Sequence, residues 1–165
     1  MPDEELFALA AAGVLSNEAV IEKQVRRMLA DQRANDFVLN FTMQWLSLSK
    51  LKTVPINRDL YPRFLYYVSA GERRGTEVPY RPTMRDYLLA ETAGFVGELI
   101  RRNASVLQII DSEFAYLNQP LATHYGIDGV QGDWLRPVAL KPGHRLGGLL
   151  TQGSVLISNS TGTAP

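Results

Sequence analysis

Between Thr83 and Asn103 the apolar residues Leu88, Leu89, Phe95, Val96, Leu99 and Ile100 recur at helical intervals. An α-helix brings that spacing onto one face, and no strand does. Thr83 with Asp86 three residues later makes a capping-box start, and Glu98 and Arg102 can pair four apart on the outer side. So long an amphipathic helix needs other elements to cover its apolar face, and the rest of the chain offers mostly helices. The expected fold is therefore mainly α, an irregular helical bundle of about five to six helices with a Gly/Pro-rich C-terminal segment.

The first helix opens at Pro2-Asp3-Glu4-Glu5, with proline and acids where a helix N-terminus favours them, and Gly13 ends it. Ser16 or Asn17 caps a second, in which Ile21, Val25, Met28 and Leu29 share a face while Glu22 and Arg26 pair outside it. A third spans about Asn35 to Leu48. Its stripe of Phe37, Phe41, Trp45 and Leu48 reads as core packing rather than a cofactor wall. Residues 64–70 fit a strand or a short helix, and 71–79 an exposed loop or turn. Ser105 with Gln108 starts a short helix ending at Ile110. Asn118 caps another over residues 119–125, with Pro120 in its first turn and Gly126 as its stop. Glycines crowd the stretch from Gly126 to Gly153, Pro137 and Pro142 interrupt it, and residues 149–157 offer a last short helix. These shifts divide the chain into a helical domain, 1–126, and a glycine-rich segment, 127–165, packing on it.

Composition excludes several function classes. The 165 residues include no cysteine, so disulfides, thiolate metal sites, a cysteine nucleophile and covalent haem attachment are absent from this chain. Seventeen basic residues balance seventeen acidic ones, which gives no electrostatic case for nucleic acid or an anionic membrane. No apolar run approaches the roughly 18 residues of a membrane span. The acidic start lacks the basic end of a secretory signal, and the polar Ser158 to Pro165 run fits equally a loose tail of a domain or an excerpt from a longer protein.

Candidate chemistry is sparse. His124 and His144 are the two histidines, too few for a His-rich metal site. His124 reads as a helix C-terminal residue. His144 and Arg145 lie in a basic glycine-rich turn with Gly147 and Gly148, where backbone amides can gather around an anion. Leu149-Leu150 stands where a phosphate loop needs Lys-Ser/Thr, so a plain turn into a helix is the expectation. Carboxylate pairs such as Glu4/Glu5 and Asp111/Glu113 suit helix starts and caps. Gln152-Gly153-Ser154-Val155 lacks the second glycine of a nucleophile elbow. The sequons at Asn40, Asn103 and Asn159 read as chance.

An ordered set of phrases adds context. It runs Pro2-Asp3-Glu4-Glu5-Leu6, then Gln24 to Asp31, Phe41 to Leu46, Asp59-Leu60-Tyr61-Pro62, Glu91-Thr92, Leu117 to Ile127 and Arg145 to Leu156. In this order the chain resembles the uncharacterised helical domain found beside c-type cytochrome domains in large planctomycete-type secreted proteins. The resemblance implies an extracytoplasmic setting, whether periplasmic or secreted. It also implies that a Cys-x-x-Cys-His haem-attachment segment follows, so that this chain stops before an adjacent cytochrome-type domain and carries no cofactor itself. Such domains have no assigned catalytic residues to carry over. Residues 65–82 look like an insertion relative to the family pattern.

The expected function is a non-catalytic scaffold or interaction domain that holds a neighbouring haem domain in electron transfer. A second reading makes the chain part of an oxidoreductase or hydrolase pocket, and predicts that His144, Arg145 and Glu91 meet in one concave site. A third is recognition of a carbohydrate or surface polymer through Trp134, Tyr80 and Tyr87, which needs exposed, coplanar rings.

Overall fold

A computed structural model of the chain describes residues 2–55, 57, 59 and 82–160. The fold is mainly α, as the spacing of apolar residues predicts, with six α-helices and one two-stranded sheet among the described residues. The chain divides into two compact units, Met1–Phe37 and Val38–Pro165. The stretch 64–81, with Tyr80 and nearly all of the suspected insertion, lies outside the described residues.

In the first unit α1 (Glu4–Ala11) is capped by Asp3, whose Oδ1 accepts the Leu6 N–H at 3.1 Å. Gly13, at φ +69°, supplies the left-handed turn that ends it. α2 (Glu18–Ala30) is capped by Asn17, whose Oδ1 accepts the N–H groups of Ala19 and Val20. α3 (Ala34–Trp45) begins in this unit and continues into the next. Of the unit's described residues, Gln24 alone is buried.

The second unit is organised by α4 (Met84–Arg101), opened by the complete capping box of Thr83 and Asp86. Met84, Leu88, Glu91, Phe95 and Leu99 follow one another at three- and four-residue steps, and all five are buried. A 3-10 turn at Leu48–Lys52 contributes Leu48 and Leu51 to a first apolar cluster, together with Met84, Leu88, Leu117 and Leu121. A second cluster joins Val38, Phe95, Val96, Leu99, Phe114 and Leu149, and the rings of Phe95 and Phe114 lie 5.1 Å apart. Each leucine taken fully out of water in this way contributes about 2 kcal/mol.

The chain then passes through a 3-10 turn at Val106–Ile109 to β1 (Phe114–Leu117), α5 (Gln119–Tyr125) and β2 (Arg136–Ala139). β1 and β2 pair antiparallel, with Phe114 opposite Ala139 and Tyr116 opposite Pro137. The sequence reading contains neither strand, because four residues are too few to establish a two-residue period. Pro137 is accommodated because a two-stranded sheet consists of edges. A 3-10 turn at Leu149–Thr151 leads into α6 (Gly153–Ser158).

One expectation is overturned. Phe37, Phe41 and Trp45 are 56%, 42% and 47% exposed, while Val38, Thr42 and Leu48 are buried. α3 thus turns the register of Val38 and Thr42 inward, and the rings of Phe41 and Trp45 stack 5.5 Å apart on the exposed side. The physical reason is space. Val38 already touches Gly97 of α4, where a Cβ would come within 3.2 Å of it, and an aromatic ring does not fit so close an approach.

Candidate functional site

The most concentrated chemistry lies inside the second unit, where α4, α5 and α6 meet. Glu91 occupies the buried register of α4 and has no exposed surface. α5 is short and firmly bounded. Asn118 Oδ1 accepts the Leu121 N–H at 3.1 Å, Pro120 occupies the first turn, and Gly126 closes the helix at φ +70°. That framing aims Tyr125 at the core. Its hydroxyl donates to Glu91 Oε2 at 2.7 Å and accepts the Gly153 N–H at 2.9 Å.

Gly153 is required there, because a Cβ would fall 2.7 Å from Leu88 Cδ2 and 3.2 Å from the Tyr125 hydroxyl. One turn of chain around it supplies the rest of the network. Thr92 Oγ1 lies 2.7 Å from Gln152 Oε1, 3.2 Å from the Leu88 carbonyl, and in close contact with Ser154 Oγ. A threonine hydroxyl carries one proton. Thr92 therefore donates to Gln152 or Leu88 and accepts from Ser154.

Burial raises the Glu91 pKa to about 8, against the opposing effect of the Tyr125 hydrogen bond. Burial likewise pushes the Tyr125 hydroxyl well above its ordinary range, and the neighbouring Glu91 adds to it. At neutral pH the pair is thus an uncharged acid receiving a hydrogen bond from an uncharged phenol. Glu91 Oε1 has no hydrogen-bond partner among the described residues. With its carboxyl sealed from solvent, Glu91 meets no dissolved substrate in this conformation. Its geometry ties three chain segments together.

The other predicted residues lie elsewhere. His144, Arg145 and Gly147 line a polar cleft of about 490 Å³ with Asp111, Glu113 and Lys141. Glu91 is not among its lining residues. Several of the loop's amides serve the loop itself: His144 N–H reaches the Lys141 carbonyl at 3.1 Å, Leu146 N–H reaches His144 Nδ1 at 3.1 Å, and Gly147 N–H reaches Thr151 Oγ1 at 2.9 Å. The bond at Nδ1 places any neutral-ring proton of His144 on Nε2. Gly148 is a packing requirement. It sits at φ +76°, and a Cβ would fall 2.3 Å from the Ile110 carbonyl oxygen.

In the first unit a groove of about 410 Å³ is floored by Val25, Met28, Leu29 and Phe37. Charged pairs stand at its edge. Arg27 binds Asp3 through two bonds of 2.7 and 3.0 Å, and Arg33 binds Asp31 at 2.9 and 2.7 Å. The guanidinium of Arg27 holds Asp3 well below the usual carboxylate range, at about 2. Trp134 is 85% exposed, but Tyr87 packs against the first apolar cluster. Tyr80 lies outside the described residues.

The sequence reading named Glu91 but not Tyr125, Thr92, Gln152 or Ser154 as a group. A signal was present. Glu91 and Thr92 interrupt the apolar steps from Leu88 to Phe95, and a polar pair in a buried register calls for partners. Among the described residues no cluster of three or more His, Cys, Asp or Glu could hold a metal ion, and no helix is long and apolar enough to cross a membrane. The family model described as PSD4, protein of unknown function (DUF1592), matches residues 1–127. No curated protein and no solved structure matches the chain.

Proposed function

The chain belongs to the PSD4 (DUF1592) family, and from that premise we propose that it is a non-catalytic interaction domain whose first three helices dock a neighbouring protein domain. One observation carries this reading. In the first unit Phe7, Ile21, Val25, Met28 and Phe37 are all between 45% and 62% exposed, and among its described residues no apolar side chain is buried. Apolar surface so concentrated marks a place where another surface belongs. The charged pairs at its edge suit the polar rim of such an interface.

The occupant is an apolar face of an adjacent domain of the parent protein, and the resemblance noted above makes that domain cytochrome-type. On this reading haem c sits in the neighbour, the setting is extracytoplasmic, and this chain presents the redox domain for electron transfer. The sealed Glu91 network supports a scaffold role, because it spends its polar groups on joining segments rather than on exposed chemistry.

The test begins with the coding sequence beyond Pro165. A Cys-x-x-Cys-His segment there is expected, and its absence overturns the cytochrome assignment. With that domain in hand, amide exchange at Val25, Met28 and Phe37 is expected to slow at least tenfold on its addition. Unchanged exchange removes the docking role. A tight, stoichiometric Soret shift on adding haem to the 165-residue chain would show that the domain is more than a scaffold.

A further inference from the structure

The interaction reading gives Glu91 only the part of joining segments, and the surroundings of its buried carboxyl are unusual for an acid. It accepts one hydrogen bond, at Oε2 from Tyr125, and Oε1 has no partner among the described residues. The charged groups on the described elements packed around α4 are engaged elsewhere or exposed. On α4 itself Arg85 donates to the carbonyls of Leu51 and Val54, Asp86 closes the capping box with Thr83, and Glu98 pairs with Arg101 and Arg102.

Lys50 and Lys52 of the 3-10 turn are exposed. Arg136 of β2 donates to the carbonyls of Gln131 and Trp134. Tyr116 of β1 lies across Gly94, and exposed His124 of α5 meets the Tyr125 ring edge-on at 5.2 Å. β1, α6, α3 beyond Val38 and the Val106–Ile109 turn carry no charged residue. Of all these groups the Tyr125 hydroxyl alone acts on the Glu91 carboxyl.

Among the described residues an ionised carboxylate in that position would have no counter-charge and one oxygen unsatisfied, a costly combination in a dry interior. The cost falls on whatever keeps the site dry. α6 does so in part: its Gly153 N–H binds the same hydroxyl that donates to Glu91, and its Ser154 meets Thr92 beside it. Six residues do not persist as a helix without a surface to pack on.

We propose that Glu91 is a proton-operated catch, which holds α6, with Gln152 before it, on α4 while protonated and loosens this segment when the proton is lost. The step is an acid dissociation coupled to opening. The carboxyl O–H breaks, the proton passes to bulk water as the segment lifts, and the carboxylate becomes hydrated. No bond between heavy atoms changes. The unfastened segment then frees Thr92, Gln152 and Ser154 for other partners.

The experiment uses the 165-residue chain between pH 5 and 9. It follows the Glu91 13Cδ shift by NMR and the exchange of amides 153–158, corrected for the intrinsic pH dependence of exchange. The expected result is a carboxyl that titrates above the ordinary glutamate range. The opening equilibrium of α6 should rise toward tenfold per pH unit over the same interval. In E91Q that rise should disappear. In Y125F opening should be more frequent at every pH, with the slope retained. A Glu91 carboxyl titrating at the ordinary value overturns the proposal, and so does an E91Q slope equal to the wild-type one. Should E91Q fail to fold, the wild-type 13Cδ titration and the Y125F slope decide the matter.

Discussion

In residues 1–37 the buried side chain is a glutamine, and the visible ties are hydrogen bonds and ion pairs: Gln24 to Glu5 at 2.8 Å, and Arg27 to Asp3. In residues 38–160 the ties are apolar clusters around α4, with a polar network closed to water at their centre. Both regions are helical, and α1 and α2 in the first carry side-chain caps as α4 and α5 do in the second, so caps do not distinguish them. The difference is where apolar area goes. The second region buries Leu48, Leu88 and Phe95 in a core while Trp134 and Leu150 stay exposed, whereas the first buries no apolar side chain among its described residues and leaves Phe7, Val25 and Phe37 exposed. Helix formation and core formation are thus separate achievements, and the first unit displays one without the other.

The largest expected effect comes from crowding the second region. Gly148→Ala meets both a left-handed backbone and the Ile110 carbonyl at 2.3 Å, and should cost about 3–5 kcal/mol in urea unfolding. Leu88→Ala, at a position with no exposure, should cost about 2–5 kcal/mol. A loss under about 1 kcal/mol at both sites would break the comparison by showing that the second region has no tight core.

Next in size is the pH response. Glu91 binds its proton more tightly folded than unfolded, with a pKa raised from 4.5 to about 8. The unfolded state therefore holds fewer protons across that interval, and stability falls as pH rises through it. The contribution is fully present below pH 4.5 and gone above about pH 8. At about 1.4 kcal/mol per pH unit, the upper limit is a few kcal/mol. Urea midpoints at pH 5, 7 and 9 should drift downward in the wild type and stay level in E91Q.

Smaller effects belong to the first region. Arg27→Ala should lower far-UV helicity in low salt, and 1 M NaCl should shrink the gap between variant and wild type, because screening weakens exposed pairs. Smallest of all is Val25→Ala, expected to move stability by less than about 0.5 kcal/mol. A Val25→Ala cost approaching that of Leu88→Ala would erase the contrast between the two regions.

Much of the helical architecture was legible because caps are local. Asp3, Asn17, Thr83 with Asp86, Asn118 and Gly126 each act where residue type and position indicate. The inward side of α3 was not legible. The 37–41–45 and 38–42 registers both suit a helix, and the choice is made by Gly97, more than fifty residues away in sequence. The polar network was half legible. Glu91 stands out as an acid in an apolar stripe, but nothing in the local sequence around Tyr125 or Gln152 names their partners, which lie 34 and 60 residues distant.

That sixty-residue gap has a consequence in time. Thr92 and Gln152 are that far apart along the chain, and synthesis at roughly 5–20 residues per second takes about 3–12 s to cross it. During that interval α4 has left the ribosome with its central acid and hydroxyl uncovered and their partners not yet made. Water can satisfy both groups in the meantime. The first apolar cluster also awaits Leu117, Leu121 and Leu146, so a nascent chain that closed early would bury Glu91 without Tyr125. The order of emergence makes Gln152 to Ser154 the step that completes its centre.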